Sequence, residues 1–255
     1  MDDAGNCAII GIDCATQPAR TGLVFARYHD RKIDLVSHIN AGAIEDYSPL
    51  PDHRWYPLVK QCQEWLEENE KVLFCMDSPL GWPNAMREVL SRHSAGELLG
   101  VEAKDLFNRK TDLFIDETIQ KRPLEIGANL IARTAAAALE LLATLRVMLR
   151  MELPLLWEQG PLERSGVIEV YPVATIIGRI GAGTKLNFKT KSDILLPILE
   201  MDFGLESIDL LAGSDDHMLD AAMCVLAGAD FIEKRCHEPP EGEDVRKEGW
   251  IWFSS

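Results

Sequence analysis

Ile9-Ile10-Gly11-Ile12-Asp13 constrains the rest of the chain more than any other stretch. An unbroken apolar run of strand length reads as a strand covered on both faces. The run stops at one carboxylate, Asp13. The polar loop Cys14–Arg20 follows, and a second apolar run opens at Thr21-Gly22-Leu23-Val24-Phe25. Gly11 lets a backbone or a ligand come close. A lone aspartate at a strand end is commonly a turn residue. Here the pattern returns at Val72-Leu73-Phe74-Cys75-Met76-Asp77. Two strands that bring carboxylates to one sheet edge point to a metal site.

The segments around these strands define an order. Thr21–Tyr28 and Lys32–Ile39 follow the first strand through short connections, so the three form an antiparallel meander. Residues 46–57 read as irregular, with three prolines. Leu58, Val59, Cys62, Trp65 and Leu66 recur at helical spacing, which makes the strand ending at Asp77 parallel to the first. Ser78-Pro79-Leu80-Gly81-Trp82-Pro83 is a rigid loop. Asn84–Arg92 reads as a short helix, 94–118 as an irregular segment covering the site, and 124–151 as a long helix. In that helix Ala135–Ala138 suit either a core or a homodimer interface. Val167–Tyr171 is a strand stopped by Pro172, and Val173–Ile180 a helix. Ser192–Asp202 is amphipathic, Ser214–Lys234 a strong helix, and Gly249–Phe253 a terminal apolar segment. Gly181-Ala182-Gly183-Thr184-Lys185 lacks the glycine-to-lysine spacing of a phosphate loop and follows a helix, so it is set aside. No repeat or linker interrupts the chain. The expectation is one domain over 1–255 with a helical or irregular insertion at about 84–165.

No apolar run is long enough to span a bilayer. The acidic start Met1-Asp2-Asp3 lacks the positive region of a secretory signal, and the six cysteines form no CxxC pair or dense framework. Both point to reduced thiols and a cytoplasmic location. The net charge of −15 excludes passive electrostatic attraction to nucleic acid. Basic residues concentrate locally, at Arg87, Arg92, Lys104, Arg109 and Lys110, and at Arg179, Lys185, Lys189 and Lys191.

A third acidic signal is Ser214-Asp215-Asp216-His217-Met218-Leu219-Asp220-Ala221. Capping and dipole complementarity account for Asp215 and Asp216. Asp220 sits a turn deeper, four residues after Asp216 on the same helix face and directly before an apolar run. A carboxylate there needs a donor or a cation. Hard ions such as Mg²⁺ and Mn²⁺ take oxygen ligands, and two of them about 4 Å apart can drive phosphodiester cleavage. Asp13, Asp77, Asp216 and Asp220 are therefore the candidate metal-binding and catalytic residues. Glu169 is a further candidate ligand, and His217 is either a proton shuttle or a surface residue.

The order of three strands, helix, strand and acidic helix resembles the ribonuclease H-like fold, an α/β fold with a mixed central sheet of five or more strands between helices. The motifs Gly11-Ile12-Asp13, Asp77–Pro83, Arg109-Lys110-Thr111-Asp112, Glu169-Val170-Tyr171-Pro172, Asp216–Ala221 and Glu248-Gly249-Trp250-Ile251 span nearly the whole chain. They resemble domain-of-unknown-function family 429, a widespread prokaryotic family described as predicted nucleases of that fold. The resemblance implies metal-dependent cleavage of a nucleic acid, DNA or RNA, with Asp13, Asp77, Asp216 and Asp220 holding Mg²⁺ or Mn²⁺. It marks Arg109 and Asp112 as a substrate-side motif, with Arg109 expected on phosphate. The alternatives are a small phosphotransferase or ATPase of the actin and sugar-kinase type, in which Thr16 would bond a nucleotide phosphate, and a non-catalytic protein that retains the fold. No second glycine-rich phosphate loop follows residue 150, as the kinase type requires.

Overall fold

The strand Cys7–Asp13 (β1) is buried along its whole length at the centre of a six-stranded mixed sheet. The computed structural model describes residues 6–40, 55–181, 191–211, 214–241 and 245–255. Gly22–His29 (β2) and Lys32–Asn40 (β3) complete the antiparallel meander. The helix Tyr56–Glu67 (α1) then carries the chain to Val72–Asp77 (β4), parallel to β1. Between β4 and the next strand come Asn84–Leu90 (α2), Ala103–Phe107 (α3), Lys110–Ile119 (α4) and Ile131–Leu149 (α5). Gly166–Val170 (β5) pairs parallel to β4 and leads into Pro172–Ile180 (α6). Lys191–Leu211 (α7) and Asp216–Ile232 (α8) precede the last strand, Ile251–Trp252 (β6), parallel to β5. The strand order β3-β2-β1-β4-β5-β6, with only β2 reversed, is the ribonuclease H-like arrangement, and its helices cover both faces.

Strand alternation divides the core. Ala8, Ile10 and Ile12 of β1 join Leu58, Cys62 and Trp65 of α1 and Leu141, Leu142 and Leu145 of α5 in one cluster. Cys7 and Ile9 face the other way, into a cluster built on α8. Helix α8 is apolar nearly all round because the sheet lies on one side of it and α6 and α7 on the other. It sits close to the sheet because three glycines admit it. A Cβ on Gly11 would stand 1.9 Å from the Ala221 carbonyl oxygen, and one on Gly22 would stand 2.4 Å from that of His217. From the helix side, a Cβ on Gly228 would meet Cys75 Sγ at 2.6 Å.

Three expectations change. Residues 94–118 are not irregular throughout: α3 and α4 lie there, with Thr111, Ile115 and Ile119 buried one turn apart. The long helix begins at Ile131, because 121–125 are irregular and 126–130 form turns. The amphipathic stretch from Ser192 runs on to Leu211 through Pro197, whose side is exposed and tolerates the missing hydrogen bond. The terminal apolar segment becomes the edge strand β6, with Trp252 edge-on to Phe231 at 4.9 Å. Residues 46–54 and 182–190, with Lys185, Lys189 and most of the glycine-rich loop, lie outside the described residues.

Candidate active site

Strands β1 and β4 run parallel and in register, so Asp13 stands directly opposite Asp77. Alternation turns both the same way. Cys7, Ile9 and Gly11 face α8 from β1, Leu73 and Cys75 face it from β4, and the next odd position in each strand is the aspartate. The contact of Gly11 with Ala221 fixes the height of α8 over the strand ends. That contact brings Asp220, one residue earlier, and His217, one turn earlier, to the same edge. Asp13 is 9% exposed, and its Oδ2 lies 2.6 Å from His217 Nδ1. The fields of the three carboxylates overlap. The buried Cys224 thiol is pushed up by burial first and then by Asp77, Asp13 and Asp220. The Tyr171 phenol is pushed up by burial, then by Asp77, Asp220 and Asp112.

The other predicted residues fall in three places. Asp216 is exposed at the start of α8, where Asp215 caps the helix by accepting from the Met218 N–H at 3.0 Å. Thr16 lies in the loop after β1 and lines a cavity of about 340 Å³ with Cys14, Thr21, Trp55 and Leu141. Arg109 and Asp112 are buried, 2% exposed each. Arg109 Nη2 donates to Asp112 Oδ1 at 2.9 Å and Nε to Oδ2 at 3.1 Å, while Nη1 donates to Glu169 Oε2 at 2.9 Å. Glu169 pairs with Met76, on the sheet face opposite to the strand positions of Asp13 and Asp77, yet it lines one cavity with Asp77. Burial pushes its carboxyl up, and Arg109 and the Leu80 N–H pull it back down.

The composition gave no sign of what this buried ion cluster holds. Glu169 Oε2 accepts from the Leu80 N–H at 2.9 Å. Glu248, also buried, accepts from the Asn84 N–H at 2.6 Å and from the Lys110 N–H at 2.9 Å. Gly81 lies against the Glu248 carbonyl, where a Cβ would be 2.4 Å from the oxygen, and Gly249 takes φ +87°. Together these bonds clamp the middle and the far end of the Ser78–Pro83 loop that follows Asp77. Glu248 stood in the sequence only as part of the motif Glu248-Gly249-Trp250-Ile251, with no role in the site framework given to it. Its signal was a carboxylate next to a glycine in an otherwise apolar terminal segment. Arg179, from the second basic concentration, is consumed in the same way by Asp230 and Asp202.

Among the described residues, no three of His, Cys, Asp and Glu stand close enough to enclose an ion by themselves. The donor chemistry fits a hard divalent cation held partly by substrate. Mg²⁺ takes one or two carboxylates and completes its shell with water and phosphate oxygens. A register-matched aspartate pair, partly open to solvent at Asp77, offers that much. Among the described residues, no helix is long and apolar enough to cross a membrane.

Comparison with known proteins gives three findings. No curated protein matches the chain. A solved structure, T. thermophilus RuvC in complex with a Holliday junction substrate, superposes with a TM-score of 0.39 at 12% identity, covering 88% of this chain and 94% of that one. The profile of the family described as "Protein of unknown function (DUF429)" matches residues 11–244. That match takes in the aspartate pair, the clamped loop and the start of α8, and the chain belongs to this family.

Proposed function

We propose that the protein is a divalent-metal-dependent nuclease that hydrolyses phosphodiester bonds of nucleic acid. Asp13, Asp77 and Asp220 hold Mg²⁺ or Mn²⁺, with Asp216 on the solvent side. The observation that supports this reading is the in-register pair Asp13 and Asp77, on the sheet face against which α8 packs with Asp220 one residue before its contact with Gly11. The ion would activate water and stabilise the leaving oxygen. The chain's own residues do the rest. Low exposure strengthens the attraction of Asp13 for a cation, and His217 fixes the direction of that carboxylate. Arg109 and Asp112 act on the loop beside Asp77 and not on phosphate, because the guanidinium donors are spent on carboxylates and on the Glu248 carbonyl.

Calorimetric titration with Mn²⁺ and Mg²⁺ tests the assignment. Wild type is expected to bind in the millimolar range or tighter, and Asp13→Asn, folded by circular dichroism, to lose that binding. Asp216→Asn is expected to lose less than Asp220→Asn, because its carboxylate is exposed. Absent heats, or equal heats in wild type and Asp13→Asn, overturn the reading.

One observation favours the phosphotransferase alternative: Thr16 lines a cavity at the end of β1. A large ATP-dependent rise in melting temperature, without metal-dependent nucleic acid cleavage, decides for it.

A further inference from the structure

A second cavity, of about 260 Å³, opens at the carboxyl ends of β4 and β5. Asp77 and Tyr171 line it from the two strand ends, and Leu124, Ile131 and Thr134 from the entry to α5. The chain holds Tyr171 firmly. Its backbone continues the extended course of β5, with φ −137° and ψ 103°, and Pro172 begins α6 directly after it. Its ring is partly buried and packs on the apolar cluster of Ile115, Ile119 and Phe253.

The hydroxyl at the end of that ring is left over. Tyr171 Oη has no hydrogen-bond partner among the described residues, yet it is not closed off from solvent. The other side-chain donors of the lining are engaged or sealed. Arg109 is buried and turned to Asp112, Glu169 and the Glu248 carbonyl. Thr134 donates to the Leu130 carbonyl at 3.2 Å, and the Cys14 thiol to that of Ile12 at 3.9 Å. Ser78 Oγ is out of reach of solvent. Tyr171 is therefore the one side-chain donor that this lining offers to a ligand.

The surrounding charge decides what that donor can meet. Asp77 and Glu169 line the same space, and the charges of Asp77 and Asp220 reach the phenol. An anion entering alone is repelled there, whereas one that arrives on a divalent cation held by the aspartates is not. Its remaining oxygens then need a donor. A phenol ionises at about pH 10 in water, and burial and the carboxylates push Tyr171 higher still, so it keeps its proton. A carboxylate-held hard ion completes its shell with phosphate oxygens. A phosphodiester has two non-bridging oxygens, and one on the ion leaves the other free to accept.

We infer that Tyr171 is a further substrate-binding residue of this site, its hydroxyl donating a hydrogen bond to a non-bridging oxygen of the phosphodiester. The inference rests on the nuclease reading and supplies the uncharged donor that an acidic site lacks elsewhere in this lining.

The test compares wild type with Tyr171→Phe, which keeps the ring, and uses dimethyl phosphate as a minimal phosphodiester. It is titrated into the Mn²⁺-loaded protein and followed by phosphorus NMR, through the broadening that bound Mn²⁺ causes. Wild type is expected to bind it, and Tyr171→Phe to bind it about fivefold to tenfold more weakly, the loss typical of one hydrogen bond. Calorimetric Mn²⁺ affinity and the unfolding midpoint are expected to be the same in both, since the hydroxyl serves neither the ion nor the fold. Equal dimethyl phosphate binding by the two proteins overturns the inference, as does its failure to bind wild type that holds Mn²⁺. Weaker Mn²⁺ binding by Tyr171→Phe also overturns it, by placing the hydroxyl on the ion, and a lowered midpoint does so by making it structural. These results leave the nuclease reading standing. Failure of wild type to bind Mn²⁺ sinks that reading, and the inference with it.

Discussion

Gly11 shows how much a single missing methyl group controls. Its sequence context promised only close approach of something to the strand. The structure identifies that something as the carbonyl of Ala221, so close that any side chain must push α8 off the sheet. Gly11→Ala is expected to lose about 1–3 kcal/mol or more in urea unfolding, the range of an overpacked core. It should weaken ion binding as well, because Asp220 moves with the helix. An unchanged denaturation midpoint would show that the helix shifts at no cost. Asp13 and Asp77 were legible for a simple reason: two apolar strands ending alike must end on the same edge if they pair in parallel. The fate of Arg109 was not legible. Its partners lie 3, 60 and 139 residues away, and no spacing rule connects them.

At the scale of elements, strong periodicity read true and charged periodicity did not. Helix α8 announced itself through a long apolar run, and β1, β4 and β5 through theirs. Helix α4 hid behind Asp112, Asp116 and Glu117, although Thr111, Ile115 and Ile119 kept its buried face. Its first turn is fixed by the Asp112 carboxylate, which accepts from the Arg109 N–H at 2.8 Å in the manner of a capping box. The same carboxylate therefore serves a helix start and an ion cluster. Arg109→Met is expected to destabilise the protein by about 3–5 kcal/mol, because it strands Glu169 and Asp112 as buried unpaired charges. It should also make the Ser78–Pro83 loop cleavable in limited proteolysis. A variant with wild-type stability and a resistant loop would show that the backbone bonds alone hold it.

Across the whole molecule, charge sets the terms of any encounter with a polyanion. A net −15 repels nucleic acid, and the basic residues that might offset it locally include Arg109 and Arg179, both tied to carboxylates. Proteins that grip phosphates with lysine and arginine lose affinity steeply as salt rises. Here, at fixed Mg²⁺, affinity for a short oligonucleotide is expected to stay flat or rise between low and physiological salt as repulsion is screened. A steep fall, measured by fluorescence anisotropy, would reveal a cationic grip, for which the exposed Arg87, Arg92, Lys104 and Lys110 are the candidates. The sequence told the sign of this interaction through composition alone, since net charge needs no fold. It could not tell which cations were already spent.

The clamp also gives the cavity of about 260 Å³ beside Asp77 two unequal walls. One is wired by buried carboxylates to three distant parts of the chain. The other, residues 123–134, rests on turn bonds such as Ile126 N–H to the Phe107 carbonyl, and it exposes Leu124 and Leu130. The buried ion pairs make the wall beside Asp77 the stiffer of the two, and the head of α5, with fewer buried bonds, the one that yields first to local opening.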